Sequence, residues 1–275
     1  MLKILCLLFT GLFTFVSCKD SEKSEINPEW KFVRTIKLND ITPTGLQAEG
    51  NFLWISDVKN NRVIKTNLNG EVVKEYSDIK RPMHLSVYNS KVFVPEYPSD
   101  KIIIIENGYA EEYPLQEKPE APAGVFVNDS LIAVADFYNH RIVLQINNEN
   151  IILGKAGHNK GELYYPTDLT IRNDKVYVAD AYNNRVQVFD YKGNSLKVIG
   201  EKDKINVATG IEVTAKNIFV TDFEGSRILI YNLDGILIET LKDNFNHPTD
   251  VTYHNNAIFV SNYGDNTVSV IHLAD

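Results

Sequence analysis

One thirteen-residue segment recurs along this chain, and its period constrains the fold more than any other feature. VADAYNNRVQVFD, from Val178 to Asp190, has five relatives: WISDVKNNRVIKT, VPEYPSDKIIIIE, VADFYNHRIVLQI, VTDFEGSRILIYN and VSNYGDNTVSVIH. Each passes from an apolar run through an acidic or amide residue and a short turn into a second apolar run. The anchor residues are Asp57, Glu96, Asp136, Asp180, Asp222 and Asn262, spaced by 39, 40, 44, 42 and 40 residues. A period near 41 commits a chain to units that cannot bury their faces alone and must stack on one another. The 246 residues from Trp30 to Asp275 hold six such periods.

Within the fourth repeat the pattern predicts four short strands, Thr167 to Ile171, Val176 to Ala181, Arg185 to Asp190 and Ser195 to Ile199. Asn173-Asp174, Asn183-Asn184 and Lys192-Gly193 separate them, and Asn, Asp and Gly tolerate the positive φ of tight turns. Second strands such as Val92-Phe93-Val94 and Ile258-Phe259-Val260 are apolar on both faces, as a sheet sandwiched between two others requires. No window of helical length carries a 3.6-residue apolar stripe. Four strands per repeat and six repeats predict an all-β, six-bladed β-propeller over residues 30–275. The last repeat supplies strands at Asp250 to Tyr253, Ala257 to Ser261 and Val268 to His272 and no fourth. Phe32 to Leu38 stands alone before the first repeat, so the N-terminal strand is expected to complete the last blade and close the ring.

Pro166-Thr167-Asp168-Leu169 followed by VYVADAYNNRVQVFD, with LGKAGHNKGELYYP before it, resembles an NHL repeat over a whole blade. Blades one, three and five also fit; two and six are degenerate. The resemblance implies a six-bladed NHL propeller, a fold that hosts lyases, binding platforms and sensor domains alike.

The N-terminus reads as an export signal. Met1-Leu2-Lys3 supplies a positive charge, and the apolar run Ile4 to Val16 has the length of a signal-peptide core and is short for a membrane span. Phe15-Val16-Ser17-Cys18 resembles a bacterial lipobox, with Phe15 where leucine is usual. The expected organisation is a lipoprotein signal peptide at 1–17, a lipid-anchored tether at 18–29 beginning at Cys18, and the propeller. The polar stretch KDSEKSEINP at Lys19 to Pro28 reads as a flexible spacer. It loosely resembles the tag that sends some Gram-negative lipoproteins to the cell surface. This places the protein in the bacterial cell envelope, anchored by lipid to the outer membrane, facing the periplasm or outward. The chain's two cysteines, Cys6 and Cys18, both lie in this leader region, so the propeller has no disulfide or cysteine metal site. Its formal charge of −8 and its scattered basic residues argue against nucleic acid.

In a propeller the loops entering each first strand share a face with the turns between second and third strands. That face collects Tyr97, Phe137, Tyr138, Tyr164, Tyr165, Tyr182, Phe223 and Tyr263, while the other collects Asn, Asp and Gly turns. Clustered rings offer large contact area at low entropic cost, so Tyr97, Phe137, Tyr138, Tyr182, Phe223 and Tyr263 are the candidate partner-binding residues. The alternative is that each ring lies flat on its own blade.

Two positions after each blade's opening residue stand Gly45, His84, Gly124, Asp168, Gly210 and Asp250. The ionisable ones fall in alternate blades, so His84, Asp168 and Asp250 are expected to converge on the axis at the channel mouth as a ligand or divalent-metal site. Against this, Asp at such a turn also serves by accepting backbone N–H bonds. Arg62, Arg141, Arg185 and Arg227, each five residues after its acid, read as intra-blade ion pairs.

Amidating lyases among NHL propellers bind zinc through histidines just after the opening proline. Here those positions are Thr44, Met83, Ala123, Thr167, Thr209 and Thr249, without a histidine. Gluconolactonase-like propellers use a Glu/Asn/Asp cage on the axis; Asp168 or Asp250 resembles part of one, and the full set is missing. No catalytic constellation is complete. The sequence therefore favours a monomeric, non-enzymatic recognition or scaffold domain for a protein, peptide or glycan partner over a metal-dependent hydrolase or lyase. Its contact with the membrane is through the lipid anchor alone.

Overall fold

The computed structural model describes residues 29–147 and 149–274; the leader and Cys18 lie outside the described residues. The turn-punctuated apolar runs form six antiparallel sheets of four strands each, the blades of a propeller. Blade 4 comprises Pro166–Arg172, Lys175–Asp180, Arg185–Asp190 and Ser195–Ile199, paired in sequence order. First strands of successive blades face one another around the axis. Among the described residues the helical content is two 3₁₀ turns, Tyr97–Ser99 and Ala181–Asn183, and no helix is long and apolar enough to cross a membrane.

The core is divided into six apolar clusters, one at each blade interface. Blade 6 shows why its second strand is apolar on both faces. Ala257 and Phe259 pack towards blade 1, while Ile258 and Val260 pack towards blade 5. A period of two thus feeds two cores from one strand.

Ring closure follows the expected route. Trp30–Lys37 pairs antiparallel with Thr267–Leu273 as the fourth strand of blade 6, beginning two residues before the expected Phe32. One irregularity gives this strand two allegiances. The register slips by one residue between Phe32 and Arg34. A one-residue bulge reverses which side chains face which way. Trp30 therefore enters the blade 5/6 core, edge-on to Phe219 at 5.0 Å, while Ile36 enters the blade 6/1 core. The strand bonds to blade 6 and packs on both of its neighbours.

The repeated acid is a clamp. Asp57, Asp136, Asp180 and Asp222 have no exposed surface. Each accepts a backbone N–H from the loop entering its own blade, from Thr42, Glu120, Tyr164 and Asn206, at 2.7–2.9 Å. Each also accepts the Nε of the arginine five residues on, at 2.7–2.9 Å. The expected intra-blade ion pairs are therefore present. Blade 6 uses a neutral version, in which Asn262 accepts from Asn246 N and donates to Thr267 Oγ1.

Removing one partner of a buried pair leaves the other unpaired, so Asp180→Ala should cost about 3–5 kcal/mol in urea denaturation. A loss below about 1 kcal/mol, the range of a surface pair, would show that the clamp contributes little. Trp30→Ala should cost a similar amount, about 3–5 kcal/mol, by opening a cavity at the closure; an unchanged melting temperature would refute the role of this strand.

Candidate functional site

Six residues at equivalent positions near the start of the innermost strands, His84 just before its strand at Ser86–Tyr88, encircle the axis, and small and ionisable members alternate. The small ones are there because no side chain fits. A Cβ at Gly45 would lie 2.3 Å from Met83 O, one at Gly124 2.8 Å from Thr167 O, and one at Gly210 2.6 Å from Thr249 O. Each clash is with the backbone of the following blade, beside His84, Asp168 or Asp250 respectively. Odd blades give up their side chains and even blades fill the axis.

The two aspartates also reach forward. Asp168 accepts Leu169 N at 2.8 Å through Oδ1 and Ile211 N of blade 5 at 2.9 Å through Oδ2. Asp250 accepts Val251 N through Oδ1 and Leu46 N of blade 1 through Oδ2, both at 2.8 Å. At the third such interface the main chain of His84 makes the link, donating to Ala123 O at 3.0 Å and accepting from Val125 N at 3.3 Å. The side chains of His84, Asp168 and Asp250 meet on the axis, with candidate ligand atoms all within 4.8 Å of one another. His84 Nδ1 stands 3.3 Å from Asp250 Oδ2 and 4.0 Å from Asp168 Oδ2.

Burial and charge work against each other here. Burial raises the Asp168 carboxyl to about 7; His84 pulls it down and Asp250 pushes it further up. For His84 burial disfavours the imidazolium, but Asp250 and then Asp168 outweigh it and hold the group above its usual value. Glu212, on the blade 5 inner strand, is raised to about 8 by burial first and then by Asp250 and Asp168, with Arg172 opposing.

At this level the three side chains form a partition across the axis. His84, Asp168 and Asp250 are only 4–6% exposed. Beyond Asp168 and Asp250 an axial cavity of about 320 Å³ runs along the inner strands to Tyr88 and Asn128 at the first hairpins, lined by Thr170, Glu212 and Thr252. Burial falls along these strands towards the hairpins, so the cavity widens towards the polar-turn face. The residues one position earlier face the other way. Thr44, Met83 and Thr249 line a separate pocket of about 440 Å³ with Arg81, Phe223 and Tyr263. The partition has a steric cause: the inner strands approach closely at the level of Gly45, Gly124 and Gly210. The threonines explain the missing histidines. Thr44, Thr167, Thr209 and Thr249 each donate a hydroxyl hydrogen to a carbonyl of the next blade, at 2.9–3.2 Å, tying the ring together.

The aromatic residues share a face, and they cross blades. Tyr97 of blade 2 contacts Phe137 and Tyr138 of blade 3 at 5.8 and 5.9 Å. Phe137 contacts Tyr165 at 4.8 Å, and Tyr165 contacts Tyr182 of blade 4 at 5.1 Å. Tyr164 joins them, stacked on His140. Arg81 lies over Tyr97 at 4.6 Å. Phe223 and Tyr263 form a second group, 6.2 Å apart, with His247 against Phe223 and Lys59 near Tyr263. The rings on this face therefore form two groups, and Phe223 and Tyr263 of the second line the pocket. Tyr138 and Tyr182 remain 48% and 57% exposed.

Glu212 and Arg172 were not singled out in the sequence. Glu212 sits two positions past Gly210 and therefore on the axial side of its strand, which is the available signal. His140 and His247 were missed because a histidine in a turn carries no periodicity. Gly210→Ala should cost about 1–3 kcal/mol, the usual penalty of overpacking against backbone, by thermal melting; a neutral effect would mean that the inner strands can separate without loss.

Comparison with known proteins places the fold. The NHL repeat matches residues 163–189, the core of blade 4. No curated protein matches the chain. A solved streptogramin B lyase superposes with a TM-score of 0.65 at 16% identity, covering 89% of this chain and 98% of that one. Virginiamycin B lyase from Staphylococcus aureus superposes with a TM-score of 0.65 at 18% identity, covering 90% of this chain and all of its own. A computationally designed protein reaches 0.56 at 14% identity over 84% of this chain and 71% of its own. At such identities the likeness is one of fold. The chain is a six-bladed β-propeller that carries an NHL repeat.

Proposed function

We propose that this protein is a lipid-anchored recognition module of the bacterial cell envelope, and that its aromatic face engages a protein, peptide or glycan partner. The observation that carries the reading is the continuity of rings from Tyr97 through Phe137, Tyr138 and Tyr165 to Tyr182. Rings that touch across blades belong to one surface, held by a rigid scaffold. Tyr and Phe anchors on such a surface contribute contact area with few torsions to freeze. Arg81 and Lys59 at the edges of the two groups give the face a basic rim, which suits partners bearing carboxylates. The anchor rests on the leader, the lipobox-like Phe15 to Cys18 and the polar tether.

A second reading, a metal-dependent hydrolase or lyase, draws on the His84, Asp168 and Asp250 cluster and the cavity beside it. It ranks below recognition because each carboxylate already accepts two backbone N–H groups and so has a structural role.

Two measurements test the main reading. Cys18→Ala should move the protein from the membrane to the soluble fraction; a membrane-bound variant would remove the anchor. Ligands selected from peptide and glycan libraries on the full chain should bind a Tyr138→Ala, Tyr182→Ala variant at least about tenfold more weakly, as loss of hot-spot aromatics predicts. Equal affinity with an unchanged melting temperature would move the interface elsewhere.

A further inference from the structure

The axial cluster contains one group that its structural role leaves unexplained. Asp168 and Asp250 are saturated with backbone donors, but His84 Nδ1, in a residue only 4% exposed, has no hydrogen-bond partner. Asp250 Oδ2 lies 3.3 Å from it as an ion-pair contact. A buried polar atom without a partner is destabilising, and native structures rarely keep one without a reason. Asp250 Oδ2 and Asp168 Oδ2 are the carboxylate oxygens beside it, at 3.3 and 4.0 Å.

We infer that His84 Nδ1, Asp168 Oδ2 and Asp250 Oδ2 form a one-histidine, two-carboxylate site for a divalent transition metal, Mn²⁺ or Zn²⁺, at the closed end of the axial cavity. The three donors come from blades 2, 4 and 6, which surround the axis evenly, and their ligand atoms lie within 4.8 Å of one another. Bonds of roughly 2.0–2.2 Å place neighbouring ligands about 3–3.5 Å apart. The nitrogen-to-oxygen separation of 3.3 Å already fits, whereas the 4.0 Å separation and the 4.8 Å spread of the whole set close by up to about 1–2 Å on binding.

The ligands are already oriented. Leu169 and Ile211 N–H groups fix the Asp168 carboxylate, and Val251 and Leu46 N–H groups fix that of Asp250. Each carboxylate oxygen keeps a second lone pair for the metal, and outer hydrogen bonds of this kind are what metal sites use to hold their ligands. The imidazole favours a transition metal over Ca²⁺ or Mg²⁺, while two carboxylates disfavour Cu⁺. Glu212 and the cavity hydroxyls of Thr170 and Thr252 lie on the open side, where water completes the coordination. A dication would also offset the repulsion among Asp168, Asp250 and Glu212, near which Arg172 also lies.

The test is on the full chain, stripped with chelator and reloaded with Mn²⁺. We expect about one equivalent per chain, nitrogen hyperfine coupling from the imidazole in pulsed paramagnetic resonance, and a higher melting temperature than the stripped protein. His84→Ala should abolish the nitrogen coupling and weaken Mn²⁺ binding by at least about tenfold, and Asp168→Asn should weaken it similarly. Wild-type protein that binds neither Mn²⁺ nor Zn²⁺, or binds Mn²⁺ without nitrogen coupling, overturns the proposal even if both variants misfold. Undiminished binding by a folded His84→Ala variant overturns it as well. The Tyr138→Ala, Tyr182→Ala variant should keep its metal, so failure here is separable from failure of the recognition reading.

Discussion

The structure depends on a carboxylate placed where three chain segments meet. In blades 1, 3, 4 and 5 one buried aspartate holds the loop entering the blade, the end of the second strand and the arginine that opens the third. A buried ion pair adds little net stability compared with an apolar replacement, but it specifies geometry, because its hydrogen bonds form in one arrangement only. The specified quantity here is the path between neighbouring blades. Blade 6 supports this, since the acid and its arginine are replaced together by Asn262 and Thr267 and the hydrogen-bond pattern survives without charge. Blade 2 keeps Glu96 on the backbone N–H of Lys80, while Lys101 turns outward to Glu112.

With the loops fixed, the inner strands approach closely enough that alternate residues must be glycine. This turns a chemical six-fold into a three-fold. Every second interface is a backbone contact over Gly45, Gly124 or Gly210, and the others are bridged by Asp168, Asp250 or the His84 main chain. The ionisable cluster is thus a consequence of packing as much as of selection for chemistry. Two of its members meet their obligations to the backbone in full; the His84 imidazole does not.

Much of this could be read from the chain before any coordinates. Repeat period, blade number, four-strand pattern and closure by the N-terminal strand all follow from local signals, namely apolar runs and turn residues, multiplied six times. Convergence of His84, Asp168 and Asp250 was legible for the same reason, since equal positions in alternate blades meet on the axis. The depth of that cluster was not, because it depends on how near the inner strands come, which the backbone clashes at Gly45 and Gly210 decide. The bulge between Phe32 and Arg34 was hidden too. A one-residue slip leaves no mark on composition, yet it sends Trp30 and Ile36 into different cores. The grouping of rings depends on loop paths, and Tyr165 joins Phe137 to Tyr182 from a loop whose positive φ gives no periodic signal.

The partition across the axis separates two kinds of surface on one rigid body. On one side lie rings, Arg81 and Lys59, around a pocket floored by Thr44, Met83 and Thr249. On the other lies a narrow acidic cavity ending at Asp168 and Asp250. The threonine hydroxyls that floor the first are bonded to the carbonyls of the next blade, and the carboxylates that end the second are bonded to its N–H groups. Both surfaces are therefore built on the same inter-blade bonds. A ligand that drew the axial cluster together would tighten blades 2, 4 and 6 against their neighbours and stiffen the scaffold beneath the rings. Because packed blade interfaces resist continuous deformation, such coupling would act on how firmly the rings are held more than on where they stand.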